Sequence, residues 1–242
     1  MKLNSTMALR AGALAAVVAM AAALPVAAQE AAIRENLGQR LPGLPKIDEV
    51  RETPMAGLYE VRTGTEVFYT DAKGDFMLRG SLLDTQSRKN LTEERIEKLT
   101  AIDFSKLNTK NAVRLVYGKG TRKMAVFEDP NCGYCKRFEK DVAQIEDVTM
   151  YVFVVPILGK DSAEKAKQIW CAKDRAKVWT DWMQHNKAPS GDGACDTKAL
   201  EENVAFIRAH RITGTPTMVF ADGSRVAGAI GKQRIEERLE RK

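Results

Sequence analysis

The spacing of apolar residues divides the chain into a β-rich first part and a second part in which strands and helices alternate. Residues 31–41 carry apolar side chains at helical spacing and are followed by Pro42-Gly43, which predicts a short amphipathic helix. The β-favouring runs that follow predict strands at 58–61, 65–69 and 76–78. Turn residues separate these strands at Thr63-Gly64 and at 71–74. We expect a small sheet with one helix, a unit that leaves strand edges exposed.

A predicted connecting helix opens the second part. Asn90 is suited to cap its first turn, Glu93 completes a capping box three residues later, and the apolar spacing ends near Asp103. Strands predicted at 113–117 and 123–127 flank Gly118-Lys119-Gly120, and we expect them to pair as a hairpin. Further elements are a helix after Cys132, a central strand at 148–155, helices at 162–179 and 203–210, strands at 217–220 and 225–228, and a helix at 232–242.

The first 28 residues have the pattern of a cleaved signal peptide. Lys2 and Arg10 are basic, the run 11–24 is apolar, and small residues precede a predicted cleavage site before Gln29. A retained membrane anchor is the weaker interpretation, because the run is shorter than the ~20 residues that a span requires. We therefore expect a mature chain that is exported, not inserted in the membrane, and located in the periplasm or another oxidising compartment.

The charge of the chain does not favour nucleic-acid binding. The sequence contains 38 basic and 32 acidic residues, for a net charge of +6, and two of the basic residues belong to the predicted signal peptide. The remaining charges are interspersed, without the basic stripe and accompanying aromatic residues of a nucleic-acid interface.

A pair of cysteines, Cys132 and Cys135, stands between a predicted strand and a predicted helix. Cys135, Phe138 and Val142 recur at helical spacing, so the second cysteine lies on the buried face of the helix. Cys132 then occupies the N-terminus, where free backbone N–H groups and the helix dipole stabilise a thiolate. One exposed and one buried thiol at this spacing predict a redox-active dithiol. The alternatives are zinc binding, which usually needs four ligands, and a purely structural disulfide.

The two other cysteines, Cys171 and Cys195, flank a loop rich in Gly, Pro, Ser and Asp. In an exported chain, their simplest role is a structural disulfide. His185 and His210 lack the surrounding pattern of a catalytic base, and we interpret them as surface or cap residues. Pro216 has no N–H for a ladder, so it either starts the strand at 217–220 or lies at its edge. A cis Thr215–Pro216 bond is compatible with this position, although the sequence alone does not establish one.

Three motifs together resemble the DsbC/DsbG family of periplasmic disulfide isomerases in the thioredoxin-like superfamily. They are Cys132-Gly133-Tyr134-Cys135, the Trp-Cys-Ala-Lys-Asp run at 170–174 with Cys195 downstream, and Gly214-Thr215-Pro216. The resemblance implies an α+β fold with a small cystatin-like dimerisation domain at 29–88, a linker helix at 89–104 and a thioredoxin-like catalytic domain at 105–242. It implies no cofactor and no metal.

The resemblance also implies a mechanism. Cys132 would attack a substrate disulfide and form a mixed disulfide, which either a substrate thiol (isomerisation) or Cys135 (reduction) would displace. Gly133 and Tyr134 would tune the redox potential. Pro216, cis in the family, would lie against Cys132, and the backbone of Thr215 would pair with the substrate as an added strand.

The implied partners are a second copy of the chain, misfolded or misoxidised exported proteins with several cysteines, and a membrane thiol reductase of the DsbD type. The dimer would hold two catalytic domains facing an uncharged cleft, and chaperone activity would be a secondary property. The alternatives are a DsbG-like reductase and holdase, whose family favours proline where this chain has Gly133, and a monomeric thiol oxidase of the same fold.

Overall fold

The computed structural model describes residues 26–241, which form two compact units divided between Arg79 and Gly80. The predicted signal peptide at 1–28 lies outside the described residues except for its last three, which open the first helix. Within the described part, no helix is long and apolar enough to cross a membrane.

The first unit consists of one helix and a four-stranded antiparallel sheet. Its elements are α1 (Val26–Arg40), β1 (Glu49–Glu52), β2 (Leu58–Thr63), β3 (Glu66–Asp71) and β4 (Met77–Leu78), and the strands lie side by side in chain order. Ile33 and Leu37 of α1 are buried against Val61 and Phe68 of the sheet. The predicted helix and three strands are confirmed, and β1 is an additional strand.

The second unit contains the remaining elements. They are β5 (Leu83–Asp84), β6 (Lys89–Asn90), α2 (Leu91–Thr100), β7 (Val113–Tyr117), β8 (Arg122–Glu128), α3 (Gly133–Val142), β9 (Val148–Val154), α4 (Lys160–Trp170), α5 (Arg175–His185), α6 (Lys198–Ala209), β10 (Thr217–Phe220), β11 (Arg225–Ala227) and α7 (Lys232–Leu239). Five strands form a sheet in the order β11-β10-β8-β9-β7, in which β8 and β9 are parallel and the other neighbours antiparallel. The predicted α+β class is confirmed.

Side chains on both faces of this sheet are buried. Along β8, Met124 and Val126 belong to one apolar cluster, whereas Ala125 and Phe127 belong to another on the opposite face. This alternation follows from the period-2 geometry of a strand, and it explains why the strand sequence is continuously apolar. As a result, apolar side chains pack against both faces of β8 near its end, just before the segment that contains Cys132.

The predicted hairpin of 113–117 with 123–127 is wrong. β9 lies between these strands, parallel to β8 and antiparallel to β7. The connecting loop crosses the start of β9, where Thr149 Oγ1 donates to the Gly120 carbonyl at 2.8 Å and the Thr121 N–H donates to Asp147 Oδ1 at 2.8 Å. A local turn pattern could not reveal that a distant strand inserts between its two neighbours.

The helix predicted at 162–179 is also wrong as a single element, because two helices cover this range. α4 ends at Trp170 and α5 begins at Arg175. Asp174 caps α5 by accepting a hydrogen bond from the Lys177 N–H at 2.9 Å, and the Arg175 guanidinium donates to the Trp170 carbonyl. These side-chain bonds satisfy backbone groups at the break, so the chain turns sharply at Cys171.

The predicted cap of the connecting helix is confirmed, since Asn90 Oδ1 accepts a hydrogen bond from the Glu93 N–H at 3.1 Å. The helix ends at Thr100, however, and not near Asp103 as predicted. Ile102 leaves the helical path because it is buried in the second apolar cluster, where its N–H donates to the Gly223 carbonyl at 3.0 Å. α2 therefore belongs to the second unit.

Candidate active site: the Cys132–Cys135 dithiol

The two cysteines occupy the junction between β8 and α3, as the sequence predicts. Cys132 is the N-cap of α3, and its Sγ accepts a hydrogen bond from the Cys135 N–H at 3.3 Å. Cys135, Phe138 and Val142 are fully buried, which confirms the predicted apolar face of the helix. Both cysteines are free thiols.

Cys132 is far less exposed than the sequence predicts. Only 6% of the residue is accessible, because the segment before β10 covers it. Its Sγ lies 3.3 Å from the carbonyl oxygen of Thr215. Cys135 is fully buried, so Cys132 is the thiol of the pair that retains some exposure.

The surroundings give the two thiols opposite acidities. A hydrogen bond from the Cys135 thiol, helped by Thr215 and by the N–H groups of Cys135 and Tyr134, lowers the pKa of Cys132 to about 5. Burial raises the pKa of Cys135 far above its usual range, and its hydrogen bond to Cys132 acts in the same direction. At neutral pH, Cys132 is a thiolate and Cys135 is a thiol, so the pair has one nucleophile ready and a second held protonated.

Thr215 and Pro216 lie beside Cys132, joined by a cis peptide bond. β10 pairs with β8 in the register Thr217↔Phe127, which brings the residues before Thr217 next to the residues after Phe127. Thr215 is half-buried and Pro216 is buried. The pairing of β10 with β8 thus brings Thr215 into contact with Cys132, although the two residues are more than eighty positions apart in the sequence.

Gly133 and Tyr134 are exposed at the start of α3, with 69% of Tyr134 accessible. A Cβ on Gly133 would meet no atom within 4 Å. Packing therefore does not require glycine at position 133. Gly133 and Tyr134 are exposed to solvent next to Cys132.

Asp129 is a buried residue whose role the sequence analysis missed. Its carboxylate accepts hydrogen bonds from the N–H groups of Ile157 and Leu158 at 2.7 and 2.9 Å, from Ser162 Oγ at 2.7 Å, and from the Asn131 N–H at 2.7 Å. It fixes the segment before Cys132 to the loop after β9. Its place directly after a strand and three residues before the cysteine is the signal that could have identified it.

Two buried glutamates behind Cys135, Glu128 and Glu139, were also missed. Both are fully inaccessible, and burial raises the pKa of each carboxyl group. Trp179 Nε1 and Gln184 Nε2 donate to Glu139 at 2.5 and 3.4 Å. Glu139 follows Cys135 by four residues, which places both on one helix face, and this spacing could have indicated its burial.

Cys171 and Cys195 are joined by a disulfide bond. It connects the end of α4 to the loop before α6, and Trp170 Nε1 adds a hydrogen bond to the Asp196 carbonyl at 3.1 Å. His185 and His210 are exposed at the ends of α5 and α6, and His210 stacks on Phe206. Among residues 26–241, no group of three or more His, Cys, Asp or Glu side chains is arranged to hold a metal ion.

Comparisons with known proteins cover both units. A family described as "Thioredoxin-like domain" matches residues 109–242, and one described as "Disulfide bond isomerase protein N-terminal domain" matches residues 25–93. The first match includes Cys132, Cys135 and the Thr215–Pro216 bond.

Individual relatives align with most of this chain. A probable thiol:disulfide interchange protein DsbC from Bordetella parapertussis is 43% identical over 211 residues, which span 87% of this chain and 74% of the relative. The thiol:disulfide interchange protein DsbC of Escherichia coli K12 is 29% identical over 222 residues, 88% of each chain.

A solved structure, the disulfide interchange protein from Neisseria gonorrhoeae, is 40% identical, with a TM-score of 0.53. It covers 55% of this chain and 96% of its own. The family that the sequence motifs resemble is thereby confirmed: this chain belongs to the DsbC family of thiol:disulfide interchange enzymes, with a thioredoxin-like domain and a disulfide bond isomerase N-terminal domain.

Proposed function

We propose that this chain is a periplasmic disulfide isomerase and reductase in which Cys132 attacks non-native disulfides of exported proteins. The observation that carries this proposal is the placement of the two thiols: Cys132 is the N-cap of α3 and accepts a hydrogen bond from the Cys135 N–H, whereas Cys135 is fully buried. The Cys132 thiolate forms a bond to one sulfur of the substrate disulfide, and the other substrate sulfur leaves as a thiolate.

The mixed disulfide has two exits. In isomerisation, another substrate thiolate attacks the substrate sulfur bound to Cys132, which forms a new substrate disulfide and restores the Cys132 thiolate. In reduction, Cys135 attacks Cys132, the substrate leaves reduced, and the enzyme holds a Cys132–Cys135 disulfide. Because Cys135 is buried and protonated, its attack is slower than that of Cys132, which leaves time for isomerisation.

The substrate would lie along Thr215, with its disulfide next to Cys132. An extended peptide that bonds to the Thr215 backbone is recognised through its main chain and not its sequence, which suits many clients. Pro216 would hold this segment in place, and Gly133 and Tyr134 would set the redox potential of the pair. The proximity of Cys132 Sγ to the Thr215 carbonyl supports this arrangement.

We further propose that the first unit forms a homodimer. Four large apolar side chains are exposed among its described residues: Leu41, Met55, Phe76 and Leu78. Phe76 is 76% accessible and directly precedes β4, the edge strand that contains Leu78. An unpaired apolar edge favours strand pairing with a second copy. Export by the predicted signal peptide, chaperone activity and a membrane reductase of the DsbD type complete the proposal.

The test is refolding of a substrate with scrambled disulfides, followed by recovery of its activity. We expect the unsubstituted protein to restore native pairing, Cys132→Ser to be inactive, and Cys135→Ser to retain isomerisation but lose net reduction. Activity in Cys132→Ser would contradict the thiol mechanism. A holdase would suppress aggregation in both serine variants, and a thiol oxidase would be isolated with Cys132 and Cys135 already bonded.

The dimer is tested separately by sedimentation velocity. Phe76→Lys and Leu78→Lys should each weaken the dimer, since they place charge on the apolar edge. Val116→Lys is the matched control, because Val116 is an exposed apolar residue on β7, an edge strand of the five-stranded sheet that lies outside the N-terminal family match. A dimer that survives both substitutions at 76 and 78 would contradict this interface.

A further inference from the structure

A cluster of basic and aromatic side chains close to Cys132 has no role in the thiol chemistry described so far. Trp182 of α5 lies at its centre, and the indole Nε1 donates a hydrogen bond to the Pro130 carbonyl at 2.5 Å. The ammonium nitrogen of Lys136 lies 3.5 Å from the centroid of the Trp182 ring, and that of Lys165 lies 5.1 Å from it. Both distances are within the range of cation–π attraction, so one ring holds two positive charges.

Further hydrogen bonds tie this cluster to the backbone around Cys132. Lys136 follows the cysteine by one helical turn, and its N–H donates to the Cys132 carbonyl at 3.1 Å. Asn131 directly precedes the cysteine, and its Nδ2 donates to the Asp161 carboxylate at 2.6 Å. The same carboxylate forms an ion pair with Lys165. The two ammonium groups are therefore held at a fixed place relative to the nucleophilic cysteine.

The positive charge of the cluster is only partly balanced. Lys165 has the Asp161 carboxylate, and 17% of the Lys165 side chain is accessible. Lys136 is half-buried and makes no ion pair among the described residues, and its ammonium group donates to the neutral Asn186 Oδ1 at 2.7 Å. Burial and the nearby charges of Lys165 and Lys140 lower the pKa of Lys136. A carboxylate placed between the two ammonium groups would attract both and offset their mutual repulsion.

The position of the cluster relative to Thr215 indicates which ligand it meets. In the sheet, β8 lies between β10 and β9, so the segment after β8 has Thr215 on one side and the segment after β9 on the other. Asp161 and Lys165 belong to α4, which follows β9. A client that pairs with Thr215 and places its cysteine at Cys132 would therefore present residues next to that cysteine to the cluster.

We propose that Lys136 and Lys165 bind an acidic side chain of the client, next to the client cysteine that Cys132 attacks. The inference rests on the proposed function, because it concerns the mixed disulfide that Cys132 forms. Backbone pairing at Thr215 admits many sequences, and among them the two lysines favour those with Asp or Glu beside the reacting cysteine. Lys136 and Lys165 are specificity-determining residues and take no part in the exchange between the sulfur atoms.

The test is the rate at which Cys135→Ser, which cannot resolve the mixed disulfide, reacts with three disulfide-bonded peptides. The peptides differ only beside the cysteine, where they carry Asp, Asn or Lys. Each rate is divided by the rate of the same peptide with dithiothreitol, because a nearby charge alters attack by any thiolate. We expect the Asp peptide to react about fivefold faster than the Asn peptide, the scale of a partly exposed ion pair, and the Lys peptide to react most slowly. In about 1 M NaCl the three normalised rates should converge, because salt screens such a pair.

Substitutions in the same background separate the charge of the cluster from its packing. Lys136→Gln and Lys165→Gln should each lose most of the preference for the Asp peptide. Lys136→Arg should retain it, because a guanidinium group keeps the charge and also stacks on an aromatic ring. Lys232→Gln is the matched control and should retain the preference, since Lys232 is an exposed lysine at the start of α7.

Equal normalised rates for the Asp and Asn peptides would overturn the proposal, and this outcome does not depend on how a lysine variant folds. A preference that survives both glutamine substitutions would also overturn it. So would a loss in Lys136→Arg as large as that in Lys136→Gln, because the charge would then not be the cause. If none of the peptides forms a mixed disulfide, the proposed function fails instead, so the two failures are distinguishable.

Discussion

At the scale of single residues, burial and hydrogen bonding separate groups of the same chemical type. Cys132 and Cys135 lie three residues apart, yet the first is stabilised as a thiolate and the second as a thiol. The sequence predicted this pair and its neighbours Thr215 and Pro216, because each belongs to a short motif. It did not reveal Glu128, Glu139 or Asp129, since an acidic residue after a strand or on a charged helix resembles an ordinary surface position until its tertiary neighbours are known.

The acidity of Cys132 predicts a specific pH dependence. We expect alkylation of the reduced protein by iodoacetamide to follow an apparent pKa of about 5 and to modify Cys132 alone under native conditions. Mass spectrometry of the modified peptide over a pH series measures this. Cys132→Ser is the control, and modification that rises only near the pKa of an ordinary thiol would contradict the thiolate.

The same acidity couples stability to pH. The pKa of Cys132 is lowered in the folded state, so the unfolded chain binds more protons between pH 5 and the usual thiol pKa. The reduced protein should therefore gain stability relative to the oxidised protein as pH rises through this window, and lose that gain as pH falls to about 5. Urea unfolding of both redox forms at several pH values measures the difference, and the opposite sign would exclude a stabilised thiolate.

Asp129 provides a prediction about packing. Each of its carboxylate oxygens accepts two hydrogen bonds, with Asn131 and Ser162 on one oxygen and Ile157 and Leu158 on the other. In Asp129→Asn, the side-chain NH2 group, itself a donor, must face one of these two pairs of donors, so that pair loses its acceptor. We expect a loss of about 2–3 kcal/mol in the free energy of unfolding. Asp192→Asn, an exposed change with one backbone partner, is the control.

At the scale of elements, local signals were sufficient where local interactions decide the structure. The Asn90 cap, the α3 face and the last three strands of the first unit follow from nearby residues. The order of the second sheet does not, because β9 enters between β7 and β8 through contacts that are distant in sequence. The division between α4 and α5 also depends on hydrogen bonds from the side chains of Asp174 and Arg175 to the backbone. The spacing of apolar residues does not reveal such bonds.

Gly120 and Gly118 both take a positive φ in the loop that crosses the start of β9, and Gly118 is the one that approaches the Asp147 backbone. Its φ is +59°, and a Cβ there would lie 2.8 Å from the Asp147 backbone nitrogen. Gly118→Ala should therefore lower the free energy of unfolding by more than the ~1 kcal/mol expected from a left-handed conformation alone. Gly231→Ala is the matched control, because no atom lies within 4 Å of its Cβ position. Equal stability of the two variants in urea would show that the crossing loop tolerates a side chain.

At the scale of the whole molecule, the two units can be followed separately, because all three tryptophans, Trp170, Trp179 and Trp182, belong to the second. The Cys171–Cys195 disulfide closes a loop with a sequence separation of 24 in that unit. On the chain-entropy model, such a closure stabilises by about 3.5 kcal/mol through the unfolded state. Replacement of both cysteines by alanine should therefore lower the urea midpoint of tryptophan fluorescence, while the alkylation profile of Cys132 remains unchanged. An unchanged urea midpoint would mean that the α4–α6 segment keeps its structure in the unfolded state without the disulfide bond. A shifted alkylation profile of Cys132 would mean that the disulfide also affects the structure of the active site.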